Sequence, residues 1–430
     1  MRLYERPIKS FLIFTLYTVI TVLVYNAFIA NDAVFPFFWP IKMSIEYVLR
    51  ILLSLLIFSA LWPAKSSIFD IFVKVYLFFV VLSFSIYHPG SVSQNNLGYF
   101  LSLINLTWPA ICIRFLKIPL LSFRFTIKNF MKKFQVSQSI YIIIMSFILL
   151  YLTLVLLYWA PDNAGFGIGA EHYERRLAAR EIFIPRSFHA YLIMFVTNGL
   201  IPFSVFYLTH ARKYLPLIFP LLAGVALFYA LGLKAQFIYI AFAIFFGIMV
   251  KVSLEKALKY FGIGIFCLLL VGFIESYFFH GNIIVGKIIR RLFFMPAYTI
   301  GKYFHYLSTS DWQIFSGVGS DISITYLIGK VYFGNENANE NTNTFLLYLT
   351  KYGIWGYSAA IAIVYITLTL LENIKTKYNS NLLLFLSFQF SFLLLEQDVK
   401  STLFSSGILV LTMSLLFLEQ NISTEANDSA

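Results

Sequence analysis

The chain has too little charge for a water-soluble protein of its size. Only 12% of its 430 residues are Asp, Glu, Lys or Arg, whereas 60% are hydrophobic. A soluble domain contains about a quarter charged residues, because polar side chains must cover its surface. The shortage excludes a soluble enzyme, a nucleic-acid-binding protein and a disordered chain, and we expect no nucleic-acid partner.

Cysteine and the usual motifs of metal and nucleotide chemistry are also scarce. The two cysteines, Cys112 and Cys267, both lie inside apolar runs, so we expect no disulfide and no cysteine-ligated metal site. The two long polar segments of the chain contain no DxD-type acidic motif, no HExxH and no phosphate-binding P-loop. We therefore expect neither a metal nor another cofactor.

Long apolar blocks make up most of the chain instead. They run for roughly 18 to 25 residues, the length that crosses a bilayer as a helix. The pattern predicts an all-α, polytopic membrane protein with about twelve transmembrane helices, forming a single integral membrane domain over residues 1–430. The predicted spans are 11–30, 43–63, 70–87, 99–115, 139–160, 188–208, 215–232, 235–250, 260–278, 345–371, 381–396 and 401–418.

Basic residues orient these spans. They gather in alternate connections, and the positive-inside rule places those connections and both termini in the cytoplasm. Topology thus explains most of the net charge of +12. One cytoplasmic segment, 114–134, interleaves basic and apolar residues and predicts a helix lying on anionic membrane lipids.

Two outer segments break this alternation because they are basic on the outer side. The first is 161–187, and the second is the large loop 279–344 between the ninth and tenth spans. Together they are the candidate active site. Their basic residues are Arg175, Arg176, Arg180, Arg186, Lys287, Arg290, Arg291, Lys302 and Lys330.

The arginines of the first segment suggest anion binding. Residues 171–181 are compatible with a helix, on which Arg176 and Arg180 share one face. The planar guanidinium binds phosphate oxygens in pairs, so these two residues, together with Arg186, form a candidate diphosphate clamp. Ion pairing with neighbouring glutamates, or contact with lipid headgroups, is the alternative. Lys234, at the tight outer turn before the eighth span, is either a functional cation or a snorkelling one.

The second segment supplies aromatic, amide and proton-accepting groups. Tyr303 and its aromatic neighbours offer flat amphipathic faces, or simply belong to an interfacial belt. Asn339 and Asn341 fit sugar hydroxyls, or a solvated turn. His305 and Glu336 are our candidates for acid–base catalysis, although the choice of base stays open. The plausible proton acceptors of the segment are His280, His305, Asp311, Asp321, Glu336 and Glu340.

The overall plan and several short stretches resemble a known family. These stretches are RLFFMP at 291–296, YFHY at 303–306, the Asn-rich run 339–343 and KYGIWG at 351–356. With about a dozen spans and a large outer loop before the last ones, they resemble bacterial O-antigen and capsule repeat-unit polymerases of the Wzy type. The resemblance implies a multi-pass protein of the bacterial cytoplasmic (inner) membrane.

The resemblance also implies a reaction and partners. Such polymerases move a growing sugar chain from undecaprenyl diphosphate onto a new lipid-linked repeat unit, and a chain-length regulator is an expected partner. Arg291, Arg290 and the arginines of the first segment would hold the diphosphate, and Lys234 matches a basic residue at the outer end of a span. Cations in a site of low dielectric stabilise the charge that develops on the leaving group.

Other functions remain open at this point. A flippase or exporter of the same lipid-linked sugars is one, although the sequence shows no inverted repeat of the kind that many transporters have. An O-antigen ligase-like glycosyltransferase and a structural membrane subunit are the others.

Overall fold

The computed structural model describes most of the chain as helix. The described residues are 2–30, 40–63, 67–91, 96–115, 136–167, 171–183, 187–249, 254–279, 284–319, 323–336, 339–378 and 381–417. Arg186, His280, Asp321 and most of the predicted lipid-binding segment 114–134 lie outside them. The described part contains no β-strand, only one isolated bridge between Gln313 and Gly317.

The described helices are mostly α-helices and wider π-helices, with one short 3₁₀-helix at Leu215–Leu217. The α-helices are α1 Arg2–Val24, α2 Ile45–Leu61, α3 Ile68–Tyr76, α4 Ser83–Ser91, α5 Asn96–Phe115, α6 Gln138–Tyr158, α7 Glu171–Phe183, α8 Ser187–Phe195, α9 Ile201–His210, α10 Ile218–Leu231, α11 Ala235–Met249, α12 Leu254–Phe278, α13 Met295–Thr309, α14 Ile324–Phe333, α15 Thr344–Tyr378, α16 Asn381–Leu393 and α17 Ile408–Phe417. The wider π-helices are π1 Tyr25–Ile29, π2 Leu77–Leu82, π3 Val196–Leu200, π4 Ile284–Phe294 and π5 Ser401–Ser405.

Helices occupy all the predicted spans, and the long apolar ones indicate a membrane-embedded protein. Within the described ranges, six are long and apolar enough to cross a bilayer: Ser10–Ile29, Ile68–Tyr87, Gln138–Tyr158, Phe188–His210, Lys256–Phe278 and Thr344–Lys375. Several of the remaining apolar helices are shorter, such as Leu215–Leu231 and Leu382–Leu393. The number of twelve spans and their orientation stay predictions. Much of the large segment 279–344 is helical, since it contains π4, α13 and α14.

The chain divides into two compact units, each assembled from separated stretches. Unit 1 is Met1–Ile118, Leu258–Leu370 and Ser387–Val399. Unit 2 is Pro119–Ala257, Leu371–Leu386 and Lys400–Ala430. The apolar pattern predicted one integral membrane domain and did not indicate this subdivision.

Aromatic rings join three elements in the core of unit 1. Phe79 of π2 stacks on Phe293 of π4, with ring centroids 5.5 Å apart and an angle of 12° between the planes. Phe392 of α16 meets Phe79 edge-on, also at 5.5 Å. Both geometries are favourable for aromatic pairs and add to the gain from burying the rings. This contact holds π4 beside the end of α16.

The start of π4 is held by α12. The Glu275 carboxylate accepts a hydrogen bond from the Ile284 N–H at 2.7 Å, which satisfies one of the free donors at the start of the helix. Gly272 of α12 allows the close approach. A Cβ at that position would lie 2.8 Å from the Cδ1 atom of Ile289.

Helix α15 is interrupted at Gly353, where a loop fills the break. Gly353 has φ 67° and ψ −158°, a conformation that is essentially restricted to glycine. The segment 311–319 donates and accepts the backbone hydrogen bonds that the break frees. The Ile354 N–H donates to the Ile314 carbonyl at 2.7 Å, and the Val318 N–H donates to the Thr350 carbonyl at 3.1 Å.

Unit 2 is held by close helix contacts around π3. Phe206 of α9 stacks on Phe385 with ring centroids 4.2 Å apart. Asn198 donates to the Ser406 hydroxyl at 3.4 Å. A Cβ on Gly199 would lie 2.2 Å from the Ser406 carbonyl oxygen, so the small residue permits this packing.

Candidate functional site

A cavity of about 520 Å³ lies within unit 1. Ligand pockets of proteins have volumes of about 300–1,000 Å³, so this one is large enough for a substantial ligand. Its apolar lining includes Phe79, Val80, Leu292, Ile300, Phe333, Phe392 and Leu395. Its polar lining is Arg290, Arg291, Tyr298, Thr299, Asn339, Glu340, Asn341, Thr342, Asn343 and Glu396.

The two arginines of the cavity come from π4 and play different parts. Arg290 is 6% exposed, and its Nε donates to the Gly286 carbonyl at 2.7 Å, which fixes the side chain against its own helix. The Arg291 side chain is exposed and reaches the open space of the cavity. π-helical turns are rare and occur often at functional sites. Arg291 is therefore the cation that a ligand in the cavity meets most directly.

The N-terminus of α15 opens on the same cavity. Asn343 caps this helix, because its Oδ1 accepts from the Leu346 N–H at 3.1 Å. Its Nδ2 finds no partner among the described residues, although Asn343 is only 1% exposed. The Thr342 hydroxyl also has no hydrogen-bond partner among the described residues, and Thr342 is only 3% exposed. Buried polar groups are normally paired, so these donors, beside the positive end of a helix, suit an anionic ligand.

The segment that carries these groups is fixed from three sides. The Tyr303 hydroxyl donates to the Glu340 carbonyl at 2.9 Å. The Glu340 N–H donates to the Thr325 carbonyl at 3.2 Å, and the Thr344 N–H donates to the Leu394 carbonyl at 2.9 Å. Tyr303 itself is fully buried and does not line the cavity. Tyr303 supports the site through its hydrogen bond to the Glu340 backbone. The sequence had instead predicted that Tyr303 contacts the substrate directly.

Two carboxylates line the cavity. Glu340 belongs to the Asn-rich segment, and burial raises the pKa of its carboxyl. Glu396 lies in the turn after α16, beyond the apolar helix that ends at Leu393. Its side chain faces the cavity, where the surrounding protein removes it from bulk water and raises its pKa, while the charge of Arg291 partly offsets the shift. Sequence reasoning did not select Glu396, because it lies far from the large outer segment along the chain.

The predicted catalytic residue Glu336 lies outside the cavity lining. Its carboxylate pairs with the Lys330 Nζ at 2.6 Å, and both side chains are exposed. The hydrogen bond and charge of Lys330 lower the pKa of Glu336, which makes it a weaker base. The acidic residue of this segment that faces the cavity is Glu340, four positions further along.

The predicted catalytic residue His305 is also absent from the cavity lining. Its Nδ1 lies 2.7 Å from the Tyr332 hydroxyl. Burial and the nearby charge of Lys302 lower the pKa of His305, so the imidazole is neutral at pH 7. The Lys302 Nζ lies 4.8 Å from the centre of the Tyr298 ring and 5.4 Å from that of Tyr332, in cation–π contacts.

The cations of the first outer segment and Lys234 belong to unit 2. As predicted, residues 171–183 form a helix, with Arg176 exposed and Arg180 half-buried. The buried arginine is Arg175, at 2% exposure, and it donates to the carbonyls of Asn163 (3.1 Å) and Gly165. It therefore closes the preceding loop. Lys234 is half-buried in the turn before α11, as expected for the junction of two helices.

The donor set of the cavity favours electrostatic chemistry by fixed cations. Within the described residues, no group of three or more His, Cys, Asp or Glu side chains is arranged to hold a metal ion. Arg290, Arg291 and the α15 N-terminus are the groups able to stabilise negative charge there.

The chain matches no known protein family, and no curated protein or solved structure is significantly similar to it. The chemistry of the cavity and the plan of the sequence are therefore what indicate a function.

Proposed function

We propose that this protein polymerises oligosaccharide repeat units linked to undecaprenyl diphosphate, at the outer face of the bacterial cytoplasmic membrane. The product is O-antigen or capsular polysaccharide. The cavity of unit 1 carries the proposal, because it combines two arginines, a helix N-terminus with unpartnered buried donors, and two carboxylates. These groups occur in a chain with several helices able to cross a bilayer. The enzyme class is a membrane glycosyltransferase with a lipid-diphosphate donor.

The positive groups of the cavity suit the diphosphate of such a donor. When the bond between the anomeric carbon and the phosphate oxygen breaks, negative charge develops on the leaving diphosphate. Cations and N–H groups held in place before the reaction stabilise this charge without reorganising. Arg291 would contact the diphosphate directly, and the α15 N-terminus would donate a hydrogen bond through Asn343. Arg290, which is bound to its own helix, would contribute positive charge without direct contact.

Other groups of the cavity suit sugars. Asn339 and Asn341 are exposed in its lining, where their amides can both donate to and accept from hydroxyl groups. Tyr298 and Phe333 meet edge-to-face at 5.7 Å and provide an aromatic wall. The resemblance implies that Arg176, Arg180, Arg186 and Lys234 also bind the lipid-linked diphosphate.

Purified protein should extend a lipid-diphosphate-linked oligosaccharide without any nucleotide sugar. The donor carries its own activated bond, so the assay needs only the lipid-linked repeat unit, with products resolved on a gel. Excess EDTA should leave the rate unchanged, because the proposed charge stabilisation comes from arginines. A strict requirement for a divalent cation would contradict the cationic site. If the protein moves intact lipid-linked repeat units across a vesicle membrane and does not extend them, the flippase function is favoured instead.

The substitution Asn343→Asp should separate the cap of α15 from its anion contact. Aspartate still accepts from the Leu346 N–H, so the thermal stability in detergent should be retained. It replaces the unpartnered Nδ2 with negative charge, so the apparent affinity for the lipid-diphosphate donor should fall about 10- to 100-fold, since a hydrogen bond to a charged group contributes about 1.5–3 kcal/mol. Asn343→Ala is the control, because it loses the cap and should destabilise the helix by about 1 kcal/mol. Unchanged donor affinity in Asn343→Asp would mean that the diphosphate does not reach α15.

A further inference from the structure

We propose that Glu396 is the general base of this site, the group that removes the proton from the acceptor sugar hydroxyl. The inference deepens the proposed polymerase function and rests on it. It assigns the proton acceptor to a residue outside both outer segments, in the turn that follows α16.

The backbone holds Glu396 next to the groups that suit the diphosphate. The Thr344 N–H, at the start of α15, donates to the Leu394 carbonyl at 2.9 Å, so the turn and the helix N-terminus are tied together. Within the turn, the Glu396 N–H donates to the Leu393 carbonyl at 3.1 Å. The turn that carries Glu396 and the N-terminus of α15 are therefore held next to each other.

The Glu396 side chain is also the best exposed acid of the cavity. It is exposed to the space within the lining, whereas Glu340 is half-buried. Glu340 lies beside Tyr303, whose hydroxyl donates to the Glu340 backbone carbonyl at 2.9 Å. The charge of Glu396 instead interacts with Arg291. The base must reach the acceptor hydroxyl, which in an in-line displacement attacks the anomeric carbon from the face opposite the leaving diphosphate. Glu396 is the acid of the lining whose side chain is exposed for that contact.

The charged and titratable groups around Glu396 support its role. Arg290 and Arg291 face the same cavity from π4, Glu340 from the Asn-rich segment and Tyr298 from α13, while Asp398 follows on its own segment. Removal from bulk water raises the pKa of Glu396, and Arg291 partly restores the ionised form. A carboxylate with a raised pKa is a stronger base near neutral pH than an exposed one.

The proposed step conserves atoms and charge. The Glu396 carboxylate takes the proton of the acceptor hydroxyl as the hydroxyl oxygen forms a bond to the anomeric carbon of the donor sugar. The bond from that carbon to the phosphate oxygen breaks, and the electron pair leaves with the lipid diphosphate. The proton then passes from Glu396 to the departed diphosphate or to water, which restores the carboxylate for the next addition.

The test is the isosteric substitution Glu396→Gln in the full-length protein, assayed with the lipid-linked repeat unit. We expect kcat to fall about 100- to 10,000-fold, the range that general-base catalysis contributes. The KM for the donor should change less than twofold. The melting temperature in detergent should equal that of the wild type within experimental error. In the wild type, kcat/KM should rise with pH as the base ionises, and this rise should be lost in Glu396→Gln. Glu396→Asp should recover part of the rate.

Two control variants make the result decisive. Glu372→Gln removes a half-buried carboxylate of unit 2 that lies outside both outer segments and the cavity lining, and it should leave the kinetics unchanged. Glu340→Gln tests the other acid of the cavity, and its kcat should fall less than that of Glu396→Gln. Polymerisation by Glu396→Gln at the wild-type rate, or a greater loss in Glu340→Gln, overturns the assignment while the polymerase function stands. Absence of polymerisation by the wild-type protein overturns the proposed function itself.

Discussion

Replacing Arg291 with alanine should reduce polymerisation about 100- to 1000-fold, which corresponds to about 3–4 kcal/mol of lost transition-state stabilisation. The physical reason is the position of its exposed guanidinium in the cavity, where charge would develop on the leaving diphosphate. Expression and membrane insertion should stay near normal, because an exposed arginine contributes only about 0–1 kcal/mol to stability through ion pairs. The measurement is the initial rate of extension of a lipid-linked repeat unit.

Two further variants control for charge and for general effects on the protein. Arg291→Lys should recover only part of the rate, because an ammonium keeps the charge but lacks the paired N–H donors of the guanidinium. Lys259→Ala removes an exposed cation of α12 and should change little. If Arg291→Ala, Arg176→Ala, Arg180→Ala and Lys234→Ala all polymerise normally, the cationic-site mechanism is wrong and a transporter becomes the better explanation.

Gly353→Ala should destabilise the protein by about 3 kcal/mol or more, because a strained backbone conformation costs about 1–3 kcal/mol and an overpacked contact a similar amount. A Cβ at this position would lie 2.5 Å from the Ile314 carbonyl oxygen and 2.6 Å from the Phe315 carbonyl carbon. These are backbone atoms of the loop that fills the break in α15, so neither can rotate away. The measurement is the fraction of monodisperse protein that survives heating in detergent, analysed by size-exclusion chromatography.

Gly334→Ala is the matched control for this substitution. Gly334 also has positive φ, 65°, but no heavy atom lies within 4 Å of the Cβ that alanine would add. Its cost should be about 1–2 kcal/mol, that of a left-handed conformation alone. If both variants lose the same stability, the packing of the loop against Gly353 contributes nothing, and the break in α15 matters only for its backbone conformation.

The sequence predicted the positions of the helices well because length and hydrophobicity determine them. An apolar block must form helix wherever it enters a bilayer, since every backbone group needs a partner there. The helix expected in 171–181 was also found, although this segment is polar rather than apolar. Interruptions were not predicted: Gly353 lies inside a predicted span, and nothing in the apolar pattern signals that a loop would insert there.

The candidate site was predicted only in part. Arg290, Arg291, Asn339 and Asn341 lie together in the cavity lining, as they were grouped from the sequence. Glu396 was missed because a hydrogen bond between distant segments, from Thr344 to Leu394, places it there. From the sequence, Glu396 is the last residue of the predicted span 381–396.

The sequence pattern also could not show which of two nearby residues of the same type lines the site. Glu336 and Glu340 lie in the same polar segment, yet one pairs with Lys330 at the surface and the other faces the cavity. Similarly, Arg175 is buried as a structural residue, whereas Arg176 beside it is exposed. Backbone direction within a segment decides such cases, and the pattern of residue types does not give that direction.

The size of the cavity has a consequence for how long a product could become. A volume of about 520 Å³ accommodates a ligand of roughly drug size. Under the proposed function, it would enclose the diphosphate and the sugars nearest to the new bond, while the rest of a growing polymer stays outside. The cavity would then contact the same chemical groups at every addition, whatever the length of the polymer, so it could not measure that length. Control over the final number must then come from contacts beyond the cavity, which is where a chain-length regulator would act.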